Sequence, residues 1–76
     1  MPLYYFNVIE GELRIPDGEG SELANDWAAI KEAQGSAREL LGQMVHAGQS
    51  LGGRFIEIQN GEGTVISAVT LRGLLE

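Results

Sequence analysis

The sequence predicts an α+β domain of ββαββ order, two β-hairpins bracketing one helix that covers one face of a four-stranded antiparallel or mixed sheet. Three observations carry that prediction. Between Asn25 and Gly48, the apolar residues Ala29, Ile30, Ala33, Ala37, Leu40, Leu41 and Met44 recur every three or four positions, which draws one stripe down a helix. The segments LYYFNVIE and RFIEIQN on either side are rich in aromatic and β-branched residues, the second in strict alternation. Turn chemistry stands where two hairpins need it, at Glu10-Gly11-Glu12 and at Asn60-Gly61-Glu62-Gly63.

Residues 3 to 10 form the first predicted strand, and both of its alternating sets, Leu3, Tyr5, Asn7, Ile9 and Tyr4, Phe6, Val8, Glu10, are mostly apolar. A strand of that kind is central or covered on both sides. A short second strand runs from Leu13 to Ile15 and stops at Pro16, which has no ladder donor. Pro16-Asp17-Gly18-Glu19-Gly20 is a turn, because proline sets φ, aspartate bonds its own backbone and glycine supplies positive φ. The helix starts at Asn25, a favoured N-cap, with Asp26 against the positive end of the dipole and Leu23 placed to staple the entry. It ends at Gly48, with His46 in the last turn. Gly35 and Gly42 either weaken the helix or admit a neighbouring backbone, as the alanines at 29, 33 and 37 do. After a loop at Ser50 to Gly53, the second hairpin pairs Arg54 to Asn60 with Thr64 to Leu71. Strict alternation puts Val65, Val69 and Leu71 on one face of the last strand, with Ile66 and Ala68 on the other. Leu74 and Leu75 suggest that the tail Arg72 to Glu76 packs down, as a strand residue or a helical turn.

The 76 residues make a single domain, 1–76, with a thin margin of stability, since a chain of this size buries only about 60% of its unfolded surface. It has no Cys and one His, which excludes disulfides and thiolate metal sites and argues against structural zinc. Self-association is the stabilising device left open. Eleven acidic residues against five basic give a net charge of −6, and the cations Arg14, Lys31, Arg38, Arg54 and Arg72 are scattered. Nucleic acid, which demands clustered cations, is therefore not an expected partner. No stretch approaches the roughly 18 apolar residues that span a bilayer, and MPLYYFNV carries no basic leader, so the expectation is a cytoplasmic protein without membrane contact.

One helix covers one sheet face. The other is expected to carry apolar residues from the set Tyr4, Tyr5, Phe6, Phe55 and Ile66, more than a small monomer usually exposes. That set is the candidate interaction surface, for a second copy or an unidentified protein partner. The alternative is a sheet that curls, with the C-terminal tail over part of it.

Candidate chemistry is sparse. Met1-Pro2 offers a secondary amine if the initiator is removed. The opening MPLYYFNVIEGE resembles the small tautomerases, which act through an amino-terminal proline. In that family the strand leads straight to a helix and arginines lie near the substrate, whereas here a second strand and PDGEG intervene and only Arg14 is close in sequence. Pro2 reads instead as a strand start, where no donor is needed. No GxGxxG or GKS/GKT occurs, and Asp17, Glu19 and Glu22 lack the spacing of a calcium loop. His46 reads as a helix C-terminal residue, Lys31, Glu32, Arg38 and Glu39 as a solvated charged face, and Trp27 as a core or edge anchor. No catalytic residue, cofactor or metal is expected, and the chain reads as a non-enzymatic interaction module that self-associates through the uncovered sheet face or an edge strand.

Met1, Pro2, Tyr4, Tyr5 and Phe6, then Ile15, Pro16, Asp17, Gly20, Glu22 and Leu23, then Ala29, Glu32, Ala33, Ala37, Leu40 and Leu41, form a pattern that spans nearly the whole chain. With the hairpin from Ile56 through Gly63 to Val69, they resemble a family of small uncharacterised proteobacterial domains of unknown function. The chain departs from that pattern at Asn7 and Asn25, where aspartate is common, and at Trp27, where a small or acidic residue is usual. Pro16, Asp17 and Gly20 also resemble the turn of HicB-type antitoxin domains, which implies an alternative role as a regulator binding a small toxin. Those domains usually add a third strand before the helix and often a DNA-binding segment, neither of which is predicted here.

Overall fold

A computed structural model describes residues 1–50 and 52–75. The chain runs β1 (Leu3–Glu10), β2 (Leu13–Ile15), β3 (Ser21–Glu22), α1 (Asp26–His46), β4 (Phe55–Asn60) and β5 (Val65–Thr70), then a 3-10 turn at Arg72–Leu75. All strand pairs are antiparallel, in the order β2-β1-β4-β5, with β3 on the same edge of β1 as β2. The fold is α+β as predicted, with five strands in place of four. The additional strand arises because Ser21 and Glu22, after the PDGEG turn, come back to pair with Tyr4 and Leu3. The predicted position of Leu51 in its loop, and of Glu76 and the Leu75 side chain in the tail, lie outside the described residues. Leu74 does pack against the core.

Asn25 adopts the extended conformation of an N-cap (φ −164°), and its Oδ1 accepts the Ala28 N–H at 2.9 Å. At the other end Gly48 turns out of the helix at φ +70°, while the N–H of Gln49 reaches back to the Met44 carbonyl at 2.8 Å. Positive φ is what a glycine supplies at this position without strain. Ala29, Ala33 and Ala37 are completely buried, so the helix axis seats close to β4 and β5. Gly35 and Gly42 do not share in this: a Cβ at either would meet nothing within 4 Å. Of the two readings for these glycines, helix weakening is the one that applies.

The register of β1 and β4 sets Phe6 opposite Ile58 and Val8 opposite Ile56, and these residues belong to the helix-side core with Tyr4, Met44 and Leu71. Burying each large side chain of that set is worth about 1.5–3 kcal/mol, so one layer of a few residues carries much of the fold. Between Ile58 and Gln59 the β4–β5 register slips, which leaves Ile66 as an extra residue on β5. Ile66 therefore packs on the core along with Val69, where unbroken alternation would have placed it on the opposite face.

Candidate functional site: the uncovered sheet face and the sheet edges

The five residues expected on the uncovered face do not stay together. Tyr4 is buried in the core, and Phe6 and Ile66 pack against it, all on the helix side. Alternation leaves Tyr5 and Phe55 on the uncovered face, both half-buried. The apolar surplus in β1 is absorbed because β1 lies inside the sheet, and the bulge recruits Ile66.

The uncovered face is instead built around a polar network. Asn7, only 2% exposed, donates from Nδ2 to Gln59 Oε1 at 2.8 Å and to Glu57 Oε1 at 3.2 Å, while its Oδ1 accepts the Asp17 N–H at 3.0 Å. Arg14 Nη2 reaches the same Glu57 oxygen at 2.7 Å and Gln59 Oε1 at 3.1 Å. Among the described residues no buried side-chain nitrogen or oxygen lacks a partner. Among the described residues such a network offers no orphaned buried polar group to a ligand.

Asp17 ties this network to the edge of β1. Its carboxylate accepts the Phe6 N–H at 3.1 Å and the Glu19 and Gly20 N–H groups at 3.2 Å each. Burial alone would raise its pKa, but the three N–H donors together outweigh it and hold the carboxyl below its ordinary value. The carboxylate thus fills the place of a ladder acceptor between β2 and β3. Gly20 lies against Tyr5, since a Cβ there would stand 2.9 Å from the ring.

The cleft around Pro2 is lined by Leu3, Tyr4, Asp26, Asn60, Gly61 and Glu62, none of them cationic. In it the Tyr4 hydroxyl donates to Asp26 Oδ1 at 2.7 Å. That bond, then burial and the carboxylate charge, raises the phenol pKa. The Pro2 carbonyl accepts the Leu23 N–H at 3.0 Å, so Pro2 closes the β1–β3 pairing as a strand-start residue does. Trp27, expected as an anchor, is 66% exposed, with the Lys31 ammonium 6.0 Å from its ring centroid. His46, Lys31, Glu32, Arg38 and Glu39 are exposed. Among the described residues no three His, Cys, Asp or Glu side chains gather as a metal site would require, and no helix is long and apolar enough to cross a membrane.

The two edges of the sheet differ in chemistry. One is β2 and β3, three and two residues long, interrupted by Pro16 and Asp17 and carrying Arg14. Short, broken, proline-bearing and charged edges resist pairing with another chain. The other is β5, six residues with neither charge nor proline, and among the described residues no strand pairs beyond it. The Leu71 N–H bonds the Arg54 carbonyl, so by antiparallel alternation Val69 also faces β4 while the N–H and C=O of Ala68 and Thr70 point outward. The residues that make this edge, Ala68 and Thr70, were not singled out from sequence. The signal was present as an uncharged run from Gly63 through Leu71 in an otherwise charged chain.

With this geometry established, a family model for a domain of unknown function, DUF6894, matches residues 3–72. The chain belongs to the DUF6894 family. The DUF6894 match takes in every helix and strand and reaches the start of the 3-10 turn. No curated protein and no solved structure matches the chain significantly.

Proposed function

We propose that this DUF6894 domain is a non-enzymatic interaction module that self-associates by strand addition at the β5 edge. The observation that carries the reading is the contrast between the edges: the β2–β3 side is guarded against pairing, and β5 is a six-residue, charge-free strand with outward N–H and C=O groups at Ala68 and Thr70. Main-chain pairing supplies the affinity in such a contact, so no apolar sheet face is needed. A chain of net charge −6 repels itself in general, and the uncharged β5 segment is where a copy approaches at least cost.

Sedimentation velocity from micromolar to millimolar protein tests the proposal. The wild type is expected to form a concentration-dependent dimer, and Ala68→Lys, which sets a charge beside the outward groups of an exposed residue, is expected to stay monomeric with an unchanged circular dichroism spectrum. A wild type that remains monomeric throughout, or a dimer indifferent to Ala68→Lys, overturns it.

A further inference from the structure

Resting on that reading, we infer that the second copy enters antiparallel, about a two-fold axis at Ala68, and that the pairing is closed at both ends by Arg72 of one copy against Glu62 of the other. The charge sequence around β5 is self-complementary. The first charge before the strand is Glu62, at the tip of the β4–β5 hairpin, and the first after it is Arg72, at the start of the 3-10 turn. Antiparallel pairing brings unlike ends together. Parallel pairing brings Glu62 to Glu62 and Arg72 to Arg72, which costs energy.

The backbone fixes the register further. The β4–β5 irregularity sits at Ile58/Gln59 and leaves the stretch from Ser67 to Thr70 regular. Of the outward-facing residues, Ala68 lies nearer the midpoint between the two charges. With Ala68 opposite its own copy, the two alanines exchange both N–H···O=C bonds. Continued past the strand ends, that pairing carries the 3-10 turn beginning at Arg72 toward the β4–β5 turn of the second copy, which holds Glu62 at its tip. Because a residue opposite its own copy lies on the same face, the axis is perpendicular to the sheet. The two sheets join into one, with both helices on the same side.

The test uses charge reversal and mixing of full-length chains, by sedimentation equilibrium at low salt. Arg72→Glu alone and Glu62→Arg alone each set like charges at both ends and are expected to weaken the dimer about tenfold or more. An equimolar mixture of the two variants is expected to recover wild-type affinity as a heterodimer, because each end then carries one Glu and one Arg from different chains. Raising the salt narrows these differences. The mixture separates contacts between copies from an ion pair within one chain, which mixing does not restore. A wild-type dimer whose mixed variants associate no better than either alone overturns the antiparallel closure while strand addition at β5 stands. A monomeric wild type removes the underlying reading and this inference together.

Discussion

Replacing Asp17 by alanine is the perturbation that most directly probes how the sheet edge is held. The substitution removes the acceptor of three N–H groups. Those of Glu19 and Gly20 lie in a surface turn and regain water, but Phe6 sits in mid-strand, between the parts of β1 paired with β2 and β3. Leaving such a donor without a partner costs about 1–3 kcal/mol, and hydrogen bonds to a charged acceptor are worth more than neutral ones. The turn also loses the anchor that positions the Asp17 N–H on Asn7 Oδ1. The expected loss is about 2–4 kcal/mol, a large share of the roughly 4–11 kcal/mol that a domain of this length has in total.

Urea unfolding followed by circular dichroism measures that loss, and the thermal midpoint should fall by about 10 °C or more. Asp17→Asn retains one acceptor oxygen and should lose roughly half as much, while the exposed control Glu19→Gln should stay within about 0.5 kcal/mol of wild type. The pH dependence has a definite sign. Asp17 binds its proton more weakly in the folded chain than in the unfolded one, so its contribution is complete above the ordinary aspartate value of 3.8 and is lost as pH falls through the lowered value. The gap between wild type and Asp17→Ala should therefore narrow as pH falls through that lowered value. An alanine variant within about 0.5 kcal/mol of wild type at neutral pH would refute the clamp.

Other perturbations separate conformational from packing effects. Gly35→Ala and Gly42→Ala enter open space in the helix and should each stabilise by about 0.5–1 kcal/mol in urea unfolding. Gly20→Ala combines a positive φ of 76° with a contact of 2.9 Å to the Tyr5 ring and should cost about 2–4 kcal/mol, whereas Gly11→Ala, with φ 61° and open surroundings, should cost only about 1 kcal/mol. Ala33→Leu forces a larger side chain between helix and sheet and should destabilise by about 1–3 kcal/mol, read from the thermal midpoint. In an ultraviolet pH titration Tyr4 should ionise above the ordinary tyrosine value of 10.0, and Asp26→Ala should move it back toward that value. Because folding favours the neutral phenol, its share of stability is present below pH 10 and fades as pH rises through the raised value.

The local signals in the sequence led to the right elements wherever backbone chemistry is strong. Asn25 caps the helix, Gly48 ends it, Pro16 closes β2, and Asn60 with Gly63 turns the second hairpin, its Oδ1 taking the N–H groups of Glu62 and Thr64. The alanine row is buried as its spacing implies. What the sequence withheld was which face each strand residue takes, because that depends on neighbours distant in the chain. Tyr4 and Phe6 alternate with Tyr5 and Asn7 in a strand apolar on both sides, and only the pairing with β4 decides that the former pair faces the helix. Alternation runs true until a bulge, and the slip opposite Ile58 moves Ile66 into the core with no mark in the sequence. The two-residue β3 is likewise a tertiary consequence, created when Asp17 holds the turn against β1. Trp27 is exposed although its type favours burial, since on the helix it stands on the side opposite the buried alanine row.

These placements move the functional argument from side chains to main chain. On the uncovered sheet face Asn7, Arg14, Glu57 and Gln59 form a bonded polar network beside the half-buried Tyr5 and Phe55. Opening the network to bind a partner would leave Asn7 buried and unsatisfied, a cost an interface must first recover. Of the large apolar side chains exposed on the strands, Val65 opens β5, while Leu13 and Ile15 lie on the helix side of β2, a strand that Pro16 cuts short as a template for pairing. Among the described residues, Ala68 and Thr70 of β5 turn their N–H and C=O groups outward on an uncharged edge. A strand edge recruits a partner through N–H and C=O groups that every residue has, so its specificity comes from what flanks it. In this chain those flanks are Glu62 and Arg72.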